Sequence, residues 1–223
     1  MVRLCFSCSQ ELGLSRGQRR KISRARAPLQ ALAYNNNANK FIDSTVDVEF
    51  GALQKQFAEM IPQGGRILDL GCGSGRDALA FKTQGFVVDA IDGSAEMVKA
   101  ASELTGLPVV QALFDEYEPH KLYDGIWACS SLLHVPADAL ISLISKYAAS
   151  LKLDGVFYLS FKLGTWEGIR NGRWFTDLDE EKFRALISHV PTLEIADFDI
   201  TSDVRPGRED EKWLNVWCVK VGK

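Results

Sequence analysis

Three observations predict an α/β fold, a doubly wound and mostly parallel sheet with helices on both faces. Short apolar runs alternate with stretches of helical periodicity between residues 46 and 188. The first apolar run ends in a turn with glycine at 71, 73 and 75, the kind of turn by which a buried strand enters a helix. The last two strand-like runs have no helix between them, so the sheet should finish as an antiparallel hairpin.

The elements follow in order. Val46, Phe50, Leu53, Phe57 and Met60 are spaced as one face of a helix that Pro62 ends. Then come a strand at 67–70, a helix at 77–84, a strand at 86–91, a helix at 95–104 and strands at 109–112 and 125–128. Leu140, Ile141, Ile144, Tyr147 and Leu151 mark one face of a helix at 137–151. Asp154-Gly155 reads as the turn into a strand at 156–161. A helix at 180–188 precedes the closing strands at 193–200 and 213–221.

A chain of 223 residues with 46% hydrophobic and 25% charged side chains has the makeup of one globular domain. No apolar run approaches the roughly 20 residues of a membrane span, so a soluble, cytoplasmic protein without a membrane partner is expected. Charge is uneven: residues 1–30 carry a net +6 and the remainder −9. The acidic body disfavours a nucleic-acid partner, whose phosphates must be neutralised by cations. Residues 1–30 are therefore read as a basic, flexible extension and 31–223 as the domain, a targeting peptide or leader being the alternatives for the extension. Five cysteines, an odd number, argue against a disulfide framework. Cys5-x-x-Cys8 lacks a second ligand pair, and no metal site is expected.

The chemistry concentrates at the glycine turn. Asp69-Leu-Gly-Cys-Gly-Ser-Gly-Arg76 departs from the dinucleotide pattern G-x-G-x-x-G, because Arg76 replaces the third glycine. The acid ahead of the first glycine suits a ligand carrying an amino group. Sixteen residues after Arg76, Asp92 closes the second strand, where a carboxylate can take the two hydroxyls of a ribose. With the segment Tyr123-Asp-Gly-Ile-Trp-Ala-Cys-Ser-Ser-Leu-Leu-His-Val-Pro136, these features make the chain from about Tyr34 onward resemble the class I S-adenosyl-L-methionine-dependent methyltransferases.

That resemblance implies a seven-stranded, Rossmann-like sheet of order 3-2-1-4-5-7-6 with the last strand antiparallel, and S-adenosyl-L-methionine as cofactor. It places the methionine portion of the donor along Gly71 and Gly73, within a loop that includes Cys72, Gly75 and Arg76, with Asp69 supporting its amino group. Asp92 takes the ribose, Gly93 and Met97 flank one face of the adenine, and Leu113 or Phe114 the other. A backbone carbonyl at Ala128 or Cys129 accepts from the donor ammonium. For Met97 core packing is an equal alternative, and for the Cys129 side chain packing is preferred to nucleophilic catalysis.

His134, just beyond the fourth strand, is the candidate acid–base residue; the alternative is that its ring braces the loop before Pro136. Two segments are assigned to the acceptor side: 166–176, with Trp166, Arg170, Arg173 and Trp174, and 205–215, with Arg205, Arg208 and Trp213. Tyr34 belongs to a segment expected to close over the donor. Guanidinium groups in an acidic body suggest a small anionic acceptor; a turn whose arginines pair with Glu209, Asp210 and Glu211 is the alternative. The expected activity is methyl transfer to such a small molecule, in a protein similar to the tellurite-resistance and thiopurine methyltransferases. Methylation of tRNA or protein, recruited by the basic arm, and donor binding without transfer are the rival readings. An NAD(P) reductase is disfavoured by Arg76.

Overall fold

Seven strands form one sheet in the order β3-β2-β1-β4-β5-β9-β8, and β9 runs antiparallel to both of its neighbours. Counting only the strands of this sheet, the order is the expected 3-2-1-4-5-7-6. The computed structural model describes Asn35 and residues 50–222. The boundary expected after residue 30, and Val46 of the first helix, lie outside the described residues. No described helix is long and apolar enough to cross a membrane.

The elements are α1 (Gly51–Glu59), β1 (Arg66–Leu70), α2 (Arg76–Thr83), β2 (Val87–Asp92), α3 (Ala95–Thr105), β3 (Val110–Gln111) and β4 (Tyr123–Ala128). They continue with α4 (Ala137–Ala149), β5 (Leu151–Lys162), β6 (Glu167–Arg170), β7 (Arg173–Thr176), α5 (Glu180–Ile187), β8 (Leu193–Ser202) and β9 (Lys212–Lys220).

Alternation along the strands sorts the core into two layers, as a sheet covered on both faces requires. Leu68, Leu70, Ile126, Ala128, Phe157, Leu159, Val216 and Cys218 face α4 and α5, packing with Leu140, Ile144, Tyr147 and Phe183. Ile67, Trp127, Tyr158 and Trp217 face the other way, toward Phe57 of α1, Ala78 and Phe81 of α2 and Ala101 of α3. Trp127 stacks on Tyr158 with ring centroids 3.9 Å apart and meets Phe57 and Phe81 edge-on at 5.1 and 5.3 Å. Each such pair adds about 0.5–1.5 kcal/mol beyond the area it buries. These aromatic contacts fix α1 and α2 against the middle of the sheet.

Local signals set the helix ends. Ser94 caps α3 by accepting from Met97 N at 3.3 Å, and Gly106 ends it at φ 66°. Asp179 caps α5 through Lys182 N at 2.8 Å. Two expectations change. β5 begins at Leu151, not Val156: Asp154, at φ 62°, sits inside the strand where its pairing with β4 shifts register, so the turn signal marks an irregularity within a strand. The segment at 166–176 is a hairpin, β6–β7, turned by Asn171 at φ 49° and Gly172 at φ 76°.

Candidate functional site

The carboxyl end of β1 meets those of β2 and β4 at the glycine turn, the usual ligand position of an open parallel sheet. Gly71 N and Cys72 N both donate to Ile91 O, at 3.0 and 2.9 Å, which draws the turn over β2. Gly71 has φ 84°, and a Cβ there would lie 2.5 Å from Ser131 Cβ and 3.1 Å from Phe114 Cζ. Gly75, at φ 90°, leads into α2, and a Cβ on it would press on Ala101 and Thr105 of α3 at 2.9–3.0 Å. Gly75 thus provides the close helix packing that a third glycine gives in the dinucleotide pattern.

Asp92 ties this corner together. Its Oδ2 accepts from Gly73 N at 2.9 Å and its Oδ1 from Ser94 N at 2.8 Å. Burial raises its pKa, against the pull of these amides and that of Gly93. A carboxylate has about four lone-pair sites, so these bonds leave capacity for further donors. Met97 is 1% exposed, which favours the packing alternative. Ser94 Oγ also reaches Asn35 Oδ1 at 2.5 Å. Tyr34 itself lies outside the described residues.

Asp69 is 2% exposed, and its Oδ2 has no hydrogen-bond partner. Burial first, then repulsion from Asp77, drives its pKa well above the usual carboxylate range. The neighbouring Cys72 thiol is pushed up by burial and by Asp69. Asp77, which the sequence reading passed over, is the hub beneath the turn. It accepts from Gln54 Nε2 (2.7 Å), Arg76 Nε (2.7 Å), Arg76 Nη2 (2.9 Å) and Trp127 Nε1 (2.8 Å). The Arg76 guanidinium also lies 4.0 Å over the Phe50 ring and 4.0 Å from Cys129 Sγ.

Beyond Ala128, the end of β4, Ser130 adopts φ 52° and donates its N–H to Ser160 Oγ at 2.7 Å. The Cys129 thiol is pushed up to about 12 by burial and by Asp77, so it stays protonated and packs, as expected for this residue. Ser131 follows, 5% exposed, its Oγ without a partner. No motif pointed to it. Phe114 and Leu113 sit in the connection from β3 to β4, where Leu113 O accepts from Glu116 N and Tyr117 N at 3.0 Å.

His134 is fastened. Its Nδ1 lies 2.6 Å from Trp174 O, which requires the proton on Nδ1, and its ring meets Phe175 edge-on at 4.8 Å. Burial holds its pKa down to about 3, so the ring is neutral at physiological pH. This geometry favours the bracing role: the ring joins the turn after β4 to the β6–β7 hairpin. Thr176 Oγ1 reinforces that joint through Val135 O at 2.8 Å.

The hairpin brings Trp166, Arg170 and Arg173 together. Arg170 lies 4.1 Å over the Trp166 ring and pairs with Asp177, while Arg173 lies 5.3 Å from the Phe175 ring. Arg205 and Trp213 converge on Asp203 instead, with Arg205 Nε at 2.8 Å and Trp213 Nε1 at 3.1 Å. Lys162 Nζ joins them at 3.0 Å and stands 4.0 Å over the Trp213 ring. Burial would raise the Asp203 pKa, but Arg205 and Lys162 hold it far below the usual range. Arg208 faces Glu211 at 3.7 Å. The turn reading of 205–211 is therefore the one the geometry favours, with Asp203 and Glu211 as the acids facing its arginines.

A family model described as a methyltransferase domain matches residues 42–197. Together with the sheet order and the glycine turn, the match places the chain in the class I S-adenosyl-L-methionine-dependent methyltransferase family. A curated relative, 2-methyl-6-phytyl-1,4-hydroquinone methyltransferase of Synechocystis, is 32% identical over 112 residues. That stretch spans 47% of this chain and 35% of the relative, about a third of its length. Among solved structures, 1,6-didemethyltoxoflavin-N1-methyltransferase of Burkholderia thailandensis, bound to 1,6-didemethyltoxoflavin and S-adenosylhomocysteine, matches with a TM-score of 0.73 at 20% identity. The match covers 88% of this chain and 89% of that one. A TehB-like methyltransferase of Corynebacterium glutamicum matches with a TM-score of 0.63 at 17% identity, covering 85% and 98% of the two chains.

Proposed function

We propose that this protein transfers the methyl group of S-adenosyl-L-methionine to a small-molecule acceptor. One observation carries the reading: a bare glycine turn lies between a buried carboxylate with an unmet oxygen, Asp69, and a second carboxylate, Asp92, at the tip of the adjacent strand. Asp77 and Asp92 act on the buried Asp69 against a single guanidinium, Arg76, an imbalance that supports a cationic ligand. The donor carries an ammonium for Asp69 and ribose hydroxyls for Asp92, and on this reading Phe114 would border the bound donor while the buried Met97 packs. The donor's sulfonium supplies an electrophilic methyl group.

The chain's own contribution is then placement and exclusion of water. Well-oriented reactants account for about 7–11 kcal/mol of a barrier of this kind. His134, neutral and tied to Trp174 O, holds the wall formed by the β6–β7 hairpin and is a weak base. An acceptor that needs little proton abstraction suits this arrangement. The ion pairs of Arg170, Arg205 and Arg208 weaken the case for an anionic acceptor held by these loops. The hydroquinone and toxoflavin-precursor relatives support a small acceptor.

Calorimetry with S-adenosylmethionine, S-adenosylhomocysteine and NAD tests the reading. The wild type should prefer the two sulfur nucleosides, and Asp92→Ala should lose at least ~1.4 kcal/mol of their binding, a tenfold drop. Preference for NAD, or unchanged affinity in the variant, would overturn it.

A further inference from the structure

The carboxylate proposed to take the ribose is held by a hydrogen-bonded relay that begins far upstream in the chain. Gly73 N and Ser94 N donate to the two oxygens of Asp92, at 2.9 and 2.8 Å, and so orient its carboxylate. Ser94 is 1% exposed, and its hydroxyl is used twice. Its oxygen accepts from Met97 N at 3.3 Å, which caps α3. Its proton goes to Asn35 Oδ1 at 2.5 Å, 59 residues away in the chain. The same Asn35 oxygen accepts from Glu96 N at 3.4 Å, a longer contact.

The cap itself does not need Asn35, because it uses only the oxygen of Ser94. What the asparagine supplies is an acceptor for the proton. Without it a buried O–H is left unmet, a cost that Ser94 can relieve only by moving. Ser94 cannot move without carrying its own N–H, and with it the bond to Asp92 Oδ1. The lone pairs of Asp92 that its backbone amides leave open are the ones a ribose would use, so their direction depends on where those amides stand.

We propose that Asn35 is a positioning residue for the donor's ribose: by taking the Ser94 proton it holds Ser94 N, and through it the Asp92 carboxylate, in register with two adjacent hydroxyls. This rests on the donor reading given above. It gives a residue upstream of α1 a part in ribose binding that acts through Ser94.

The test is calorimetry with S-adenosylhomocysteine and its dideoxyribose form, which keeps the base and the amino-acid end but offers Asp92 no hydroxyl. Asn35→Ala should bind S-adenosylhomocysteine about fivefold more weakly, as for loss of one hydrogen bond, and the dideoxy compound within about twofold of wild type. Asn35→Asp, which keeps an acceptor oxygen at the N-terminus of α3, should bind S-adenosylhomocysteine within about twofold of wild type. The double variant Asn35→Ala, Ser94→Ala should be no weaker than Ser94→Ala alone, since one relay is broken only once. Equal losses of Asn35→Ala for both ligands, no loss for either, losses that add in the double variant, or an Asn35→Asp as weak as the alanine variant would overturn the role of Asn35 while leaving the donor reading standing. A wild type that binds the two compounds equally well would overturn the ribose assignment of Asp92 on which the proposal rests.

Discussion

At the glycine turn, Asp77 and Asp92 act on the buried Asp69 against one guanidinium, Arg76, and Asp69 Oδ2 and Ser131 Oγ have no partner among the described residues. Around the β6–β7 hairpin and the β8–β9 connection, by contrast, Arg170 meets Asp177, and Arg205 and Lys162 meet Asp203. On the proposed donor reading, the first region is completed by a ligand that brings positive charge. The second has its cations paired with acids of its own, Asp177 and Asp203. The difference teaches that abundant cations in a loop say little about ligand charge until their carboxylates are located, whereas an unmet buried acid points directly at a missing partner.

The comparison breaks most visibly at Asp77. Asp77→Ala removes the acceptor for Gln54, Arg76 and Trp127 at once and takes a carboxylate at 2.7 Å from the part-buried Arg76 guanidinium. Unfolding free energy from urea titration should fall by about 3–5 kcal/mol; a loss under ~1 kcal/mol would mean that Asp77 is not the hub of this corner.

The next effect is one of pH. The folded protein holds a proton on Asp69 at pH values where the unfolded chain, near ~4, has released it. Stability of the ligand-free protein should therefore decline as pH rises from the ordinary carboxylate range toward the raised folded value. Asp69→Asn should flatten that decline in thermal melts recorded across pH. Parallel curves for the two proteins would show that burial of this carboxyl has no such cost.

The smallest effect belongs to the balanced region. Arg208 and Glu211 are half exposed and 3.7 Å apart, so Arg208→Ala should change stability by no more than about 1 kcal/mol. Its KM for an acceptor, once one is found, should also stay within about threefold of wild type, well short of the loss of a charge-assisted contact. A tenfold rise would restore the view of this loop as an anion clamp.

Much of the geometry of the glycine corner was legible in the sequence because its constraints are local. Gly71, Gly75 and Asp92 each sit where chain geometry leaves few choices, and the alternation of Ile67 with Leu68, or Trp127 with Ile126, announces a sheet buried on both faces. Signals that depend on partners distant in the chain were not legible. Asp154-Gly155 looks like a turn, yet pairing with β4 carries the strand through it. Asp203 gives no sign in sequence that it will gather Lys162, Arg205 and Trp213. Ser131 is one serine among many until β4 sets it against Gly71. The β6–β7 hairpin did carry its own mark, the Asn171-Gly172 pair flanked by Ile169 and Trp174.

The place of β9 bears on how the molecule is assembled. It follows β8 in the chain but lies inside it in the sheet, between β5 and β8. During synthesis β8 leaves the ribosome before the strand it must pair with, while β1 to β4 already have one another as neighbours. The nascent chain can thus close its glycine corner early and wait with an open flank beside β5, and a ribosome that stalls before Lys212 would strand a half-built sheet with that flank bare.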